Sequence, residues 1–166
     1  MRTSLALFIL VGIVVFLGVE LSDRGRLLDR LLPAGSPDAV DFATLKLHGK
    51  PNQYLVCPQD FCAEPPHRVS PAFNFSVEEL SSRWQRLIAG EPRIFTLSVD
   101  PNLQQLQYIQ RTEWVRFPDV IAVKLIPLGP GRSTLAIYSR SIYGHSDFGT
   151  NQARIDGWLA ALQHAR

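Results

Sequence analysis

The longest apolar run of the chain lies near its N-terminus, where residues 5–19 contain no charged or strongly polar side chain. As a helix this run would rise roughly 22 Å, somewhat less than the roughly 30 Å of a hydrocarbon core. Arg2 precedes it, as in a secretory signal, but the small-residue cleavage pattern is missing where it would be expected. The pattern favours an uncleaved transmembrane anchor over residues 1–21, with a cleaved signal sequence and a buried helix of a soluble protein as the alternatives.

Basic residues around this run give conflicting signals for its orientation. Arginines are more frequent just after the run than before it, and the positive-inside rule then favours a cytoplasmic C-terminus. The very short N-terminal tail before an early apolar segment instead resembles an exported precursor. We give the second signal slightly more weight, and expect a single-pass membrane protein with an extracytoplasmic domain at the cell envelope.

The stretch after the anchor predicts a short helix followed by a break in the chain. Four leucines would share one side of a helix over residues 21–32, namely Leu27, Leu28, Leu31 and Leu32. Pro33 and Pro37 then interrupt the helical pattern. We assign residues 22–37 to a juxtamembrane segment and linker, and residues 38–166 to one folded domain.

Two helices are predicted within the domain. The first covers residues 76–90, with Ser76 as N-cap, Glu79 completing a capping box and Gly90 as the C′ residue. The second runs from Asn151, an acceptable N-cap, to His164. Their apolar faces would be formed by Leu80, Trp84, Leu87 and Ile88, and by Ile155, Trp158, Leu159 and Leu162.

The strand-like patterns predict the rest of the fold. They cover residues 53–57, 93–99, 106–117, 120–126 and 133–141. In the second of these runs, Phe95, Leu97 and Val99 would share one side. Short connections such as the Gly-Pro-Gly turn before Arg132 require antiparallel neighbours. The fold class is therefore α+β: an N-terminal membrane helix, then a small antiparallel sheet of three or four strands covered by two helices.

Composition and charge narrow the function. Apolar residues make up 46% of the chain, enough for a sizeable core, and 17 basic against 15 acidic residues argue against a nucleic-acid binder. No nucleophile elbow, phosphate loop, dinucleotide fingerprint or paired zinc motif occurs, and the four histidines are isolated along the chain. We therefore expect no cofactor and no catalytic residue, and a binding function rather than an enzyme.

The segment that joins the last strand to the last helix is the candidate site. Glycines punctuate it, and it supplies acidic, amide and guanidinium groups in Asp147, Asn151, Arg140 and Arg154. A helix N-terminus beside arginines favours a bound anion. The alternative is a structural corner in which Asp147 binds backbone amides and pairs with an arginine.

Arg111 is a further candidate, because it and Arg140 fall in the middle or at the end of strands. If the two strands were neighbours, the guanidinium groups would need an anion or carboxylates between them. Asp119 and Asp147 could be those carboxylates. The predicted ligand-binding residues are thus Arg111, Arg140, Asp147, Asn151 and Arg154.

The same segments resemble a family of bacterial and plastid proteins known as domain of unknown function 1499. Its typical Ser-Arg-Ser step is found at residues 139–141, its Gly-x-Ser-Asp-x-Gly-x-Asn motif at residues 144–151, and the following arginine at Arg154. A His-Arg-x-Ser-Pro segment at residues 67–71 also matches, and Gln152 stands where arginine is frequent. The resemblance covers residues 46–162 and implies a fold unit, with no established reaction.

Two cysteines, Cys57 and Cys62, are separated by four residues. A disulfide across this loop is sterically feasible and would suit an oxidising compartment. Two buried free thiols are the main alternative. A metal site that adds His67 would lack an obvious fourth ligand, and its spacing is uncommon for zinc.

Three functional hypotheses follow from these residues. The first is a membrane-anchored, non-enzymatic envelope domain that binds a small anionic ligand, a lipid or a protein partner. The second is an enzyme that acts on an anionic envelope metabolite, with Arg111 and Arg140 holding the charge near His145. The third is an assembly subunit, which would require one of the three tryptophans to be exposed.

Overall fold

The computed structural model describes residues 25–100 and 105–164. The predicted anchor over residues 1–21 lies outside this part of the chain. Within the described ranges, none of the helices combines the length and the apolar character that crossing a bilayer requires. The membrane helix therefore stays a prediction from the sequence.

The fold is α+β, as predicted, but its sheet is larger than expected. Three helices occur in the described ranges: α1 with residues 25–31, α2 with Val77–Ala89 and α3 with Thr150–His164. The strands are β1 Gln53–Cys57, β2 Arg68–Val69, β3 Ile94–Asp100, β4 Gln105–Arg111, β5 Pro118–Gly129 and β6 Arg132–Ser141. They form one six-stranded sheet in the order β2-β1-β6-β5-β4-β3.

All neighbours in the sheet are antiparallel except β1 and β2. Gly129, the last residue of β5, and Gly131 in the turn that follows have φ angles of 121° and 65°, in the region that favours glycine. The expected hairpin is thus present. The sequence did not predict β2, because a strand of two residues is too short to show a period.

Helices α2 and α3 cover one face of the sheet. The N-cap is Ser76 as predicted, and its hydroxyl accepts a hydrogen bond from the amide of Glu79. Gly90 is not left-handed, with a φ of −86°, so the predicted C′ geometry is wrong and the helix ends by hydrogen bonds back to Leu87 and Ile88. Buried Trp84 and Trp158 from the two helices meet edge to face, with ring centroids 5.5 Å apart.

The opposite face is covered by irregular chain. Phe42 and the partly buried Val40, Leu45 and Leu47 pack there against a second apolar cluster that includes Leu55, Ala122, Ala136 and Tyr138. A disulfide joins Cys57 to Cys62 and closes the loop after β1 at a Cα–Cα distance of 6.2 Å. Burial raises the pKa of Tyr138 to about 12. Both faces of the sheet are therefore covered at its centre, which explains why the middle segments of β5 and β6, residues 120–123 and 135–138, are apolar and buried.

Strand β3 departs from the simple alternation that the sequence suggested. A register shift between Thr96 and Ser98 places Phe95 opposite Ile109 but Val99 opposite Leu106, so the two side chains lie on different faces of the sheet. Phe95, Leu97 and Val99 are all exposed. The prediction of one shared apolar side is wrong, because a single inserted residue reverses the alternation.

Helix α1 packs against the end of the sheet where β4 stops and β5 begins. The Asp29 carboxylate accepts two hydrogen bonds from Arg116, at 2.9 and 2.8 Å, and lies 3.3 Å from Nε of Arg111. The Arg116 hydrogen bonds, helped by the charge of Arg111, lower the pKa of Asp29. Asp29 therefore fixes α1 at this end of the sheet.

Candidate functional site

A row of polar side chains crosses three strands on the face covered by the helices. The register pairs Gln110 of β4 with Asp119 of β5, and Asp119 with Ser141 of β6. Because directly paired residues project from the same face, these three side chains lie side by side. Asp119 is 1% exposed, and its Oδ1 accepts a hydrogen bond of 2.6 Å from the Ser141 hydroxyl.

Helix α3 completes this row with two further side chains. Arg154 donates to Oδ2 of Asp119 at 2.6 Å and to Oδ1 of Asn151 at 2.7 Å. The Ser139 hydroxyl also donates to Oδ1 of Asn151, and the Asn151 amide donates to Ser141. We call Asp119, Ser139, Ser141, Asn151 and Arg154 the polar network. It is a buried ion pair with hydrogen bonds to both partners, the arrangement that makes burial of two charges tolerable.

Asp147 occupies the N-terminus of α3. Its Oδ1 accepts from the amide of Gly149 at 3.1 Å, and its Oδ2 accepts from the amide and the side chain of Asn151 at 2.8 and 2.7 Å. The residue that caps the helix is thus Asp147, and Asn151 lies inside the helix rather than at the predicted N-cap. A carboxylate of the chain already holds the position where the sequence suggested an external anion.

The structure brings Asp147, Asn151 and Arg154 together but places Arg111 and Arg140 elsewhere. Nη1 of Arg111 donates to the carbonyls of Leu32 and Arg116, at 3.0 and 2.8 Å. Arg140 pairs with Val120 in the sheet and lies near His48, whose pKa is lowered by burial and by the charge of Arg140. Strand β5 separates the two arginines, so they do not share a counter-ion. Asp119, suggested as that counter-ion, pairs with Arg154 instead.

Beside the polar network lies a cleft of about 300 Å³. Its floor includes Asp119 and Ser141, and its walls carry four aromatic residues, Trp114, Phe117, Tyr143 and Phe148. We call it the aromatic cleft. The rings of Phe117 and Tyr143 are 6.3 Å apart, and the Tyr143 hydroxyl donates to the carbonyl of Pro33 at 2.8 Å. One wall of the cleft is therefore tied to the segment that follows α1.

Two of the aromatic walls are unusually exposed. Phe148 is 97% exposed and Trp114 is 76% exposed. Phe148 also has a φ of 53°, a left-handed conformation that is uncommon for a bulky residue without a packing reason. Exposed aromatic side chains held in this way are typical of binding surfaces, since they gain little for the stability of the free domain. Of the three tryptophans, Trp114 is the exposed one.

No motif in the sequence indicates this cleft directly. Residues 112–117 follow an apolar strand pattern and were predicted to extend the strand that precedes them, whereas β4 ends at Arg111 and the segment turns. The register, which the sequence does not reveal, brings this turn next to residues 143–150. The one available hint was Gly149 directly after Phe148, which suggested a tight turn but no exposed ring.

A second and larger cleft, of about 830 Å³, shares Phe148 with the aromatic cleft as a lining residue. Its lining includes Arg93, Arg111, Arg154 and the glutamates Glu91 and Glu113. Arg154 is paired with Asp119, and Nε of Arg93 donates to the carbonyl of Arg111 at 3.2 Å. Arg111 also lies 3.3 Å from the Asp29 carboxylate, so two of these three guanidinium groups are paired with carboxylates of the chain itself.

The cysteines and histidines give no separate metal centre. The thiols are joined in the disulfide, and Nδ1 of His67 accepts a hydrogen bond of 3.0 Å from the Leu55 amide. Across residues 25–100 and 105–164, no group of three histidine, cysteine or carboxylate side chains could hold a metal ion. The chemistry of the site therefore depends on the aromatic cleft and the polar network.

Fold and site define an α+β domain whose buried ion pair supports an aromatic cleft. A family profile described as "Protein of unknown function (DUF1499)" matches residues 46–162, which is more than two thirds of the chain. The chain belongs to this family, as the resemblance in its sequence implied. Neither the curated proteins nor the solved structures compared with this chain include a significant match.

Proposed function

We propose that this protein is a membrane-anchored, non-enzymatic domain of the cell envelope that binds a small molecule or a lipid in the aromatic cleft. The observation that carries the proposal is the exposure of Phe148 and Trp114 around a cleft with a polar floor. An apolar wall with a few fixed polar groups is the usual composition of a small-molecule site. The volume of about 300 Å³ lies at the lower end of the range for such sites.

The state of the polar groups favours binding over catalysis. A general base or nucleophile needs a side chain that is free to take up or release a proton at the substrate. In this domain Asp119 and Arg154 are paired with each other at 2.6 Å, and Asp147 accepts from two amides of the helix N-terminus. The enzymatic hypothesis requires Arg111, Arg140 and His145 to face one cavity. Among the residues that the structure describes, these three do not meet in one cavity, so the arrangement supports binding rather than catalysis.

The position of α1 supports a membrane-proximal cleft. The apolar run of residues 5–19 ends a few residues before α1, and Asp29 holds α1 against Arg116. Arg116 belongs to the same turn as Trp114. Aromatic residues are enriched where proteins meet the headgroup region of a bilayer. An anchor over residues 1–21 would place the aromatic cleft close to the membrane surface, where lipids are available.

Two measurements test the anchoring and the binding separately. For anchoring, the full chain should stay in the membrane pellet after alkaline extraction, and deletion of residues 5–19 should release it. For binding, molecules retained by the purified full chain are identified by mass spectrometry and compared with those retained by the double variant Trp114→Ser, Phe148→Ser. We expect the variant to fold normally, because both side chains are exposed, and to retain less.

The matched control is Phe95→Ser, which removes an exposed aromatic ring from β3 without touching the cleft. Equal retention by the original chain, the control and the double variant would overturn the binding proposal. Release of the full chain by alkaline extraction would overturn the anchoring proposal and leave the binding result intact.

A further inference from the structure

The geometry points to an organic ammonium group as the ligand of the aromatic cleft, either free or as the headgroup of a lipid. This inference rests on the proposed binding function and specifies its ligand class. The lining includes four aromatic residues and three carboxylate residues, Glu113, Asp119 and Asp147, but no lysine or arginine. The neighbouring larger cleft differs in this respect, because three arginines line it.

The charge of the aromatic cleft is net negative after its internal pairs are counted. Arg154 neutralises Asp119 from below, and the amides at the start of α3 face Asp147. Glu113 is exposed, and none of the ion pairs within the described ranges involves it. A negatively charged ligand would find no lysine or arginine in this lining and would be repelled by Glu113, whereas a cation would be attracted.

The walls favour an organic cation over a metal ion. Hard metal cations take several oxygen ligands, and across the described ranges the carboxylates do not gather in a group of three that could hold one. Aromatic rings instead attract a cation to their faces, and alkylated ammonium groups are recognised in this way because they carry little tightly bound water. Trp114, the ring type with the strongest attraction, is also among the most exposed.

The cleft differs from a purely apolar docking groove in one testable respect. A hydrophobic groove would bind a neutral group of the same shape as well as it binds the cation. A site built from ring faces and carboxylates would prefer the charged form, and it would depend on Glu113 as well as on Trp114. Charge therefore separates the two possibilities.

The test uses the intrinsic fluorescence of the full chain in a maltoside detergent. Trp84 and Trp158 are buried, so a ligand in the cleft should change mainly the emission of Trp114. We expect a saturable change with choline chloride, a dissociation constant at least about fivefold higher with the neutral isostere 3,3-dimethylbutan-1-ol, and no change with sodium chloride or sodium acetate. In Trp114→Ala the signal should disappear.

Substitutions test whether Glu113 supplies the negative charge that attracts choline. Glu113→Gln should weaken choline binding about threefold to tenfold, and Phe148→Ala should weaken it similarly. Glu64→Gln is the matched control, because this carboxylate lies 3.8 Å from Lys46 and does not line the cleft, and it should bind choline as the original chain does. Neutral isostere binding equal to choline, an unchanged Glu113→Gln variant, saturable binding of acetate, or the absence of any saturable signal would each overturn the inference.

Lipid nanodiscs separate the two sources of the ammonium group. If a lipid headgroup fills the cleft, nanodiscs of phosphatidylcholine should shift the Trp114 emission before any choline is added. They should also reduce the response to added choline. Nanodiscs of phosphatidylglycerol should do neither. An equal response in both would assign the site to a free ammonium compound. If mass spectrometry finds a retained molecule without an ammonium group, the binding function stands and this inference fails.

Discussion

The polar network and the aromatic cleft lie side by side, but the side chains of the network are buried and hydrogen-bonded to each other, whereas two rings of the cleft are exposed to solvent. In the network, Asp119 is 1% exposed and has both carboxylate oxygens hydrogen-bonded within the chain. In the cleft, Phe148 is 97% exposed and its backbone has a left-handed φ. The charged and amide groups that suggest chemistry in the sequence bind each other, whereas the exposed aromatic rings are free to contact a ligand.

This difference shows how a candidate site can be misread from residue types alone. Charged and amide side chains suggest chemistry, yet a buried charge without a partner is so costly that such groups usually find partners inside the protein. An exposed aromatic ring neither stabilises nor destabilises the free domain much. Its presence is better explained by a contact with another molecule. We therefore assign stability to the network and recognition to the cleft.

The largest expected effect tests the structural role of the network. Replacement of Asp119 by alanine would leave Arg154 buried without its counter-ion, and we expect the free energy of unfolding to fall by about 3–5 kcal/mol. Chemical denaturation measures this. Glu113→Ala, an exposed carboxylate in the adjoining cleft, should stay within about 0.5 kcal/mol of the original chain. A loss below about 1 kcal/mol for Asp119→Ala would contradict the division between the two regions.

A smaller loss of stability is expected at the N-terminus of α3, which lies between the polar network and the aromatic cleft. Asp147→Ala removes the carboxylate that accepts from the amides of Gly149 and Asn151, and should cost about 1 kcal/mol. Asp147→Ser keeps a capping oxygen and should recover most of this loss. If an anion had to bind at this helix terminus, phosphate would stabilise Asp147→Ala strongly, and thermal denaturation with added phosphate would reveal it.

At Phe148 we expect stability and binding to change in opposite directions. Glycine adopts a positive φ without strain, so Phe148→Gly should raise the free energy of unfolding by about 0.5–1 kcal/mol while ligand retention falls. Asp60→Gly is the matched control, because Asp60 has a φ of 60° in the disulfide loop. It should gain less stability, because aspartate adopts a positive φ more readily than phenylalanine, and its ligand binding should be unchanged. Loss of stability in Phe148→Gly would mean that the ring packs in the free domain.

The smallest effect concerns α1 and depends on pH. Arg116 and Arg111 lower the pKa of Asp29 in the folded protein, so this carboxylate contributes stability above its unfolded pKa and loses that contribution as the pH falls through the lower folded value. Hydrogen exchange should therefore show α1 losing protection below about pH 4. Asp29→Asn should lack the extra protection at neutral pH. A pH-independent α1 would show that the ion pair does not hold it.

Local patterns in the sequence were sufficient for most secondary structure. The spacing of Leu80, Trp84 and Ile88 defines α2, and Ser76 caps it as predicted. The glycines of the β5–β6 turn fix that hairpin, and the family motif at residues 144–151 identified the family correctly. These features depend on neighbours within a few residues, which is why a single sequence contains enough information to predict them.

The tertiary structure alone decided which residues meet. Asp119 and Arg154 are 35 positions apart and pair only because β5 and α3 pack at the same end of the sheet. The bulge in β3 and the early end of β4 point several side chains in directions that a simple alternation of inward and outward residues does not predict. Register and packing follow from long-range contacts, and a shift of one residue exchanges the two faces of a strand. The sequence therefore determined the elements and the family, whereas long-range packing alone separated a satisfied ion pair from an open aromatic cleft.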